Sequence, residues 1–135
     1  MIAKNIMREL GDIVTCGEDE TVYSALVKMN EQNIGSVVIM GQEMNAKGIV
    51  TAHNIYRVLV GRKSAAFHLH LGDIMSSDLI TVNEDDTIAN CKRVLIDHNI
   101  QHLLVQGTEE SIIGMLSSMD IISYEVNQEI QGIRP

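Results

Sequence analysis

Aromatic side chains and proline are scarce in this sequence. Tryptophan is absent, phenylalanine and proline each occur once, and tyrosine occurs three times in 135 residues. Aliphatic residues and eight methionines therefore have to fill the interior, which suits small repeated layers better than one core built around large rings. A chain of this length is expected to bury a core without needing disulfides or metals to hold it together.

Positive charge is also in short supply, with 10 lysines and arginines against 18 aspartates and glutamates and a net charge of −8. Such an acidic chain has no general attraction for a phosphate backbone or an anionic surface, so neither nucleic acid nor a membrane is an expected partner. No apolar run approaches the roughly 18 residues of a membrane span, and the N-terminus lacks a signal-peptide pattern. The sequence therefore predicts a cytoplasmic protein.

The sequence also lacks the usual motifs of catalysis and metal binding. It contains no glycine-rich phosphate loop, no dinucleotide-binding glycine pattern and no nucleophile elbow. His68 and His70 have no cysteine or acidic cluster to complete a metal site, and Cys16 and Cys91 lie far apart. We therefore expect no catalytic residue, no metal site and no enzyme, and we expect both thiols to be buried.

What the sequence does contain is an internal repeat. An ungapped alignment with an offset of 66 residues runs from Thr15 on Thr81 to Ile55 on Ile121. Further upstream, Ile6-Met7 corresponds to Ile74-Met75 after a two-residue slip. Identity concentrates at turns and apolar positions, which indicates one backbone used twice. The identical pairs include Thr21 with Thr87, Asn33 with Asn99, Gly41 with Gly107 and Gly48 with Gly114.

Each copy predicts the order strand, helix, strand, strand, helix. Short strands over 13–16 and 79–82 precede acidic triplets that complement a helix dipole, with Thr21 and Thr87 near the caps. The first helix of each copy has one apolar face and stops near Asn33 or Asn99. Two further strands follow in each copy, and the second helices are predicted over 54–60 and 120–130. The apolar faces comprise Val22, Ala25, Leu26 and Met29, and Ile88, Cys91 and Leu95.

The repeated pattern resembles the CBS motif. The matching stretches are IMRELGDIVTCGEDETVYSALVKMNEQNIGSVVIM with KGIVTAHNI, and IMSSDLITVNEDDTIANCKRVLIDHNIQHLLV with IGMLSSMDI. The resemblance implies a mixed α/β (α+β) fold of two β-α-β-β-α motifs packed as a pseudo-twofold Bateman module. Motif 1 then covers 1–61, a linker covers 62–73, and motif 2 with its C-terminal helix and tail covers 74–135.

The resemblance also implies a regulatory ligand and a site for it. The ligands of the family are AMP, ADP, ATP, S-adenosylmethionine and related adenosyl compounds, and the modules frequently dimerise. Its Ser/Thr-x-x-Asp signature is present as Ser117-Ser118-Met119-Asp120, and a carboxylate accepts hydrogen bonds from both ribose hydroxyls. The same pattern is also a helix capping box, and both roles fit. By resemblance, the stronger cleft comprises Thr15, Ile34, Gly35, Ser36, His102, Ser117 and Asp120.

The first copy departs from this signature, because Thr51-Ala52-His53-Asn54 has an amide where the acid belongs. An amide has one acceptor oxygen and cannot replace a carboxylate toward two hydroxyls, so we expect a weaker cleft. His102 matches a position that often faces phosphate, although an exposed strand histidine is an equal alternative, and His53 is expected at the surface. The weaker cleft comprises Thr51, Asn54, Thr81, Ile100 and Gln101.

Two functions fit these observations. The first is a regulatory module that binds an adenosyl ligand between the motifs and signals to a separate, unidentified effector protein. The second is a CBS pair that has lost its ligand and serves as a scaffold for dimerisation or partner binding. Ser117 and Asp120 favour the first, while Asn54 favours the second. The resemblance favours a homodimer in both cases, while the sequence itself leaves a monomeric module and paired modules open, as it does the identity of the nucleotide.

Overall fold

The computed structural model describes residues 1–43, 45–109 and 111–133, and these form two compact units. Unit 1 combines residues 1–12 with the chain from residue 80 onward, and unit 2 contains residues 13–79. Each unit consists of one small sheet with helices packed on it, which confirms the predicted mixed α/β fold class. Among the described helices, none combines the length and hydropathy of a membrane span.

Unit 2 is built on a three-stranded sheet in the order β2-β3-β4. Strand β2 runs parallel to β3, whereas β3 and β4 are antiparallel, so the crossover between β2 and β3 is helix α2. The elements are β2 (Thr15–Gly17), α2 (Val22–Gln32), β3 (Ser36–Met40), β4 (Ala46–Thr51), α3 (Ala52–Arg62), a 3₁₀ segment (Lys63–His68) and α4 (Leu71–Ile74).

Unit 1 repeats this plan and adds one strand, giving a four-stranded sheet in the order β1-β7-β6-β5. Strand β5 is parallel to β6, β6 is antiparallel to β7, and the short β1 adds to the outer edge of β7. The elements are α1 (Ala3–Ile6), β1 (Arg8–Glu9), a 3₁₀ turn (Leu10–Asp12), β5 (Thr81–Asn83), α5 (Ile88–Asp97), β6 (His102–Gln106), β7 (Ile112–Ser117) and α6 (Ser118–Ile133).

The ends of α2 and α5 confirm the predicted start and stop signals. The Thr21 hydroxyl accepts a hydrogen bond from the Ser24 N–H at 3.1 Å, and Thr87 does the same for Asn90 at 3.1 Å. After these helices, Asn33 and Asn99 adopt positive φ angles of 53° and 50°. Asparagine tolerates this left-handed backbone better than most residues do, so it ends a helix at low cost.

Each unit has its own aliphatic core. In unit 2 the buried face of α2 (Val22, Ala25 and Met29) packs on β3 and β4, and in unit 1 the buried face of α5 packs on β6 and β7. Leu26 lies at the edge of the first core and is only partly buried. Cys16 and Cys91 are buried and unpaired, as predicted.

Two features differ from the sequence-based expectations. The segment 62–73, predicted as a linker, contains a 3₁₀ segment and a short helix, with Ala66 and Leu71 completely buried. Its backbone is tied to α2, since the Val22 N–H donates to the Leu69 carbonyl at 2.9 Å. The second helices also begin earlier than predicted, at Ala52 and Ser118, because the caps lie at the ends of the preceding strands.

Two equivalent glycines mark a close backbone approach in each unit. A methyl group at Gly48 would lie 2.8 Å from the Ser76 carbonyl oxygen, and one at Gly114 would lie 2.5 Å from the Arg8 carbonyl oxygen. Ser76 pairs with Ile49, and Arg8 pairs with Met115 at the equivalent position of the repeat. The segment that follows each Ile-Met pair therefore docks against the last strand of a copy. This is why residues 1–12 belong to unit 1.

Candidate functional site

The junction of β7 and α6 in unit 1 carries the Ser-x-x-Asp signature. Asp120 donates its backbone N–H to the Ser117 hydroxyl at 3.1 Å, and its own Oδ2 accepts the Ser117 N–H at 3.0 Å. These reciprocal bonds form a capping box at the start of α6, so the capping role expected as one alternative is present. The bonds leave Asp120 Oδ1 outside the cap.

Arg8 is the cationic neighbour of this free oxygen. Its Nε lies 3.8 Å from Asp120 Oδ1, and the Arg8 side chain is 53% exposed whereas that of Asp120 is 19% exposed. The contact exists because β1 pairs with β7, with Arg8 opposite Met115. At this length it is a loose ion pair that leaves lone pairs of Oδ1 available to a donor from a ligand.

His102 is the third side chain near this pair in unit 1. It begins β6 and lies opposite Ser117 in the β6–β7 ladder. Burial lowers the pKa of His102, the Arg8 charge lowers it further, and the Asp120 carboxylate opposes both effects. The imidazole is therefore neutral at neutral pH and is partly buried, which differs from the exposed strand histidine expected as one alternative.

The equivalent junction of β4 and α3 in unit 2 is built differently. Asn54 Oδ1 accepts hydrogen bonds from the Thr51 N–H at 2.8 Å and from the Thr51 hydroxyl at 3.0 Å. The Asn54 N–H donates to the same hydroxyl at 3.3 Å. Both lone pairs of the single amide oxygen are thus used within the cap, so none remains for a ribose hydroxyl. His53, beside them, is exposed as predicted.

The other predicted site residues lie at the strand starts of the two units. In unit 2, Thr15 begins β2, and Ser36 begins β3 opposite Thr51. In unit 1, Thr81 begins β5, and the Gln101 carbonyl accepts the Ser118 N–H at 2.9 Å. The predicted stronger set is thus divided, with Ser117, Asp120 and His102 close together in unit 1 and the rest in unit 2. Of the remaining residues, Ile34 and Ile100 pack against their cores and Gly35 is exposed.

Sequence reasoning missed two basic residues near these positions. Arg8 contacts Asp120, and Lys28 donates to the Thr15 carbonyl at 3.1 Å while pairing with Glu20 at 3.1 Å. No periodic pattern points to either residue. The repeat alignment places Arg8 on Ser76 and Asp120 on Asn54, so Arg8 and Asp120 belong to different copies in the sequence. Only the pairing of β1 with β7 brings them together in unit 1.

Two curated relatives align with most of this chain. A mitochondrial CBS domain-containing protein of Arabidopsis thaliana, CBSX3, is 28% identical over 130 residues, covering 91% of this chain and 63% of its own length. The uncharacterized protein MK0525 of Methanopyrus kandleri is 30% identical over 114 residues, covering 84% of this chain and 58% of its own length. The chain thus spans about three fifths of the length of these relatives.

Solved structures show the same fold. The CBS-domain containing protein ATU1752 of Agrobacterium tumefaciens has a TM-score of 0.85 at 18% identity, with 92% of each chain covered. CBSX2 in complex with AMP has a TM-score of 0.78 at 15% identity, covering 95% of this chain and 98% of its own.

The CBS domain pair of MJ0100 was solved with 5′-methylthioadenosine and S-adenosyl-L-methionine. It has a TM-score of 0.81 at 20% identity and covers 95% of this chain and 98% of its own. The family model for the CBS domain matches this chain twice, over residues 3–61 and 71–127. The chain therefore belongs to the CBS-domain family and carries two consecutive CBS domains.

Proposed function

We propose that this CBS pair is a regulatory module that binds an adenosyl ligand, with Asp120 and Ser117 of unit 1 holding the ribose. The observation that carries the proposal is the free oxygen of Asp120. Its Oδ2 is used by the cap, but Oδ1 has only the loose contact to Arg8. At 19% exposure this carboxylate is shielded from much of the competing water.

The chemistry of a ribose fits this oxygen. Two vicinal hydroxyls present two donors side by side, and a carboxylate accepts both through charge-assisted hydrogen bonds. Each such bond contributes about 1.5–3 kcal/mol on typical values. The cap holds the carboxylate in place before a ligand arrives, so little conformational entropy is lost on binding.

The adenosyl part of the proposal is supported by related structures. CBSX2 binds AMP, and the CBS pair of MJ0100 binds 5′-methylthioadenosine and S-adenosyl-L-methionine. Adenosine is the part that these ligands have in common. We infer that Thr15, Ile34, Gly35 and Ser36 contact base and sugar in the stronger site, and that Thr51, Asn54, Thr81, Ile100 and Gln101 contribute to a weaker one.

The environment of the two thiols disfavours one alternative, a cysteine nucleophile. Burial raises the pKa of Cys16, and the nearby Glu20 carboxylate raises it further. Burial likewise raises the pKa of Cys91, with Asp86 adding to the effect. A buried, protonated thiol is a poor nucleophile. We infer that the module acts on a separate effector protein. The cytoplasmic location of this chain stays a prediction.

We further propose that the chain forms a homodimer in which α6 of one copy packs on α3 of the second. Beyond its first turn α6 is almost entirely exposed, with Ile122, Val126 and Ile130 on its surface. Tyr56 and Val60 of α3 occupy the positions of the repeat equivalent to Ile122 and Val126 and are also exposed. Three exposed turns with large apolar side chains are marginal without a partner.

Charge favours a second copy as that partner. Helix α3 contains Arg57 and Arg62 and no carboxylate. On the exposed part of α6 there is no lysine or arginine, and its carboxylates are Glu125, which also pairs with Lys92 at 2.9 Å, and Glu129. Light scattering of the intact chain is expected to give a dimer, and Val126→Lys is expected to give a monomer. Ile96→Lys, at another exposed apolar position on α5, serves as the control and should leave the dimer intact. A monomeric wild-type chain contradicts the proposal.

The ligand proposal is tested by a thermal-shift panel of AMP, ADP, ATP, S-adenosylmethionine and cyclic di-AMP. A ligand that binds only the folded state stabilises it, by about 2.7 kcal/mol at a ligand concentration of about 100 Kd, and so raises the midpoint temperature of unfolding. At least one compound is expected to raise the unfolding temperature of the wild-type chain at millimolar concentration. No shift with any of them contradicts the proposal and favours the ligand-free scaffold.

A further inference from the structure

We propose that Arg8 recognises a phosphate group of the ligand, so that the unit 1 site selects 5′-phosphorylated adenosine compounds over uncharged or cationic adenosyl compounds. This inference rests on the proposed function, because it takes Asp120 as the ribose partner. It adds a residue that the sequence analysis did not assign to either site, and it names the chemical class of the ligand.

The position of Arg8 is fixed by backbone contacts rather than by its side chain. Strand β1 pairs with β7, and the Arg8 carbonyl sits over Gly114, where no other residue type leaves enough room. The side chain then projects toward Asp120 and is half exposed. A guanidinium has five N–H donors in a rigid fork that matches the oxygens of a phosphate. Within the described part of the chain, the only acidic partner of Arg8 is Asp120, through Nε at 3.8 Å.

The negative charge of Asp120 explains why a phosphorylated ligand needs Arg8. The chain has a net charge of −8, and Asp120 is a carboxylate at the point where the ribose is proposed to bind. A phosphate brought near this carboxylate is repelled unless a cation lies between them. His102 is neutral at neutral pH, as its lowered pKa shows, and does not supply that charge. Arg8 does so, at 3.8 Å from the carboxylate.

Ligand binding also releases Arg8 from Asp120. In the free protein the two side chains form a loose pair whose contribution to stability is small, because Arg8 is half exposed. When the ribose hydroxyls donate to the carboxylate, the guanidinium is free to turn to the phosphate on the same nucleotide. One ion pair is exchanged for a stronger, bidentate one.

Unit 2 provides an internal contrast. Ser76 occupies the position equivalent to Arg8 and pairs with Ile49 through two backbone hydrogen bonds of 2.9 and 3.0 Å. Asn54 occupies the position equivalent to Asp120. Both charges of unit 1 are thus replaced by neutral groups in unit 2. The cation and the carboxylate are present together or absent together, as expected if they serve the two charged ends of one ligand site.

The experiment is calorimetric titration of the intact chain with AMP and with adenosine, in the wild type, Arg8→Gln and Arg8→Lys. Wild type is expected to bind AMP at least about tenfold more tightly than adenosine, the equivalent of one charge-assisted hydrogen bond. Arg8→Gln should abolish most of this preference and leave adenosine binding unchanged, while Arg8→Lys should recover part of it. Arg93→Gln, which removes an exposed arginine of α5, is the charge control and should behave as wild type.

Different failures have different meanings in this experiment. Equal loss of AMP and adenosine binding in Arg8→Gln, or no change in either, overturns the assignment of Arg8 while the proposed function stands. Binding of neither compound to the wild-type chain overturns the proposed function and the assignment of Arg8 with it. Unfolding curves of the free variants identify any loss that comes from a destabilised β1.

Discussion

Asn54 and Asp120 cap equivalent helices of the repeat, but only Asp120 keeps a side-chain oxygen outside the cap. Asn54 Oδ1 accepts two hydrogen bonds from Thr51, at 2.8 and 3.0 Å. Asp120 accepts one from the Ser117 N–H through Oδ2 and leaves Oδ1 to the loose contact with Arg8. The exchange of an amide for a carboxylate therefore separates a cap that uses its only acceptor oxygen from a cap that leaves one oxygen outside it, which is the oxygen that we propose as the ribose acceptor.

Replacing Asn54 with aspartate should create a second ligand site. In Asn54→Asp a second oxygen becomes available while the Thr51 cap is kept, so adenosine is expected to bind with a stoichiometry that rises from one toward two per chain. Calorimetric titration measures this directly. Asn30→Asp, which adds the same charge on the exposed side of α2, is the control and should leave the stoichiometry at one. An unchanged stoichiometry in Asn54→Asp would show that the carboxylate does not limit the weaker site.

His102 should make the stability of the protein depend on pH. Burial and the Arg8 charge hold its pKa below the usual 6.5, so the unfolded chain binds this proton more readily than the folded one. The contribution of the neutral His102 imidazole to the free energy of unfolding is therefore fully present above about pH 6.5. It is lost as the pH falls through the folded-state pKa. Denaturant unfolding between pH 8 and 5 should show a steeper loss for wild type than for His102→Gln. Parallel profiles would contradict the lowered pKa, which NMR titration of the imidazole also measures.

A methyl group at Gly114 should displace β1. It would lie 2.5 Å from the Arg8 carbonyl oxygen and 2.7 Å from Met7 Sδ, so the strand has to move away. Gly114→Ala is expected to cost about 1–3 kcal/mol of unfolding free energy, as overpacking typically does, and to weaken AMP binding through loss of the Arg8 position.

Gly61→Ala is the matched control for that substitution. Gly61 lies within α3, has nothing within 4 Å of the added methyl group, and should gain about 0.5–1 kcal/mol from helix propensity. A stable Gly114→Ala variant with wild-type affinity for AMP would show that the close approach of β1 to β7 has no role in the site.

The parts of the structure that can be predicted from the sequence are those encoded locally. The threonine caps, the asparagine stops and the apolar faces of α2 and α5 each depend on residues within a few positions of one another. The Ser117–Asp120 pair is also local, so its motif is visible in the sequence, as is its altered counterpart at Thr51 and Asn54. The repeat doubles each signal, because every local pattern occurs twice.

The parts that cannot be predicted depend on contacts between distant segments. Strand β1 has only two residues, Arg8 and Glu9, and a strand this short has no alternation that marks it. Its partner lies more than a hundred positions later, so the ion pair of Arg8 with Asp120 has no signature in either segment. The buried positions of segment 62–73 have no sequence signal for a similar reason, since Leu71 packs in the core cluster of unit 2 and has no periodic pattern of its own.

The central claim, that the Asp120 carboxylate holds the ribose of an adenosyl ligand, is tested most directly by one substitution. Asp120→Asn copies into unit 1 the amide that caps α3 in unit 2, so the helix cap and the fold should be kept. Calorimetric titration with AMP is expected to show a loss of affinity of about tenfold to a hundredfold, the equivalent of one charge-assisted hydrogen bond. A folded Asp120→Asn variant that binds AMP with the wild-type dissociation constant would contradict the account.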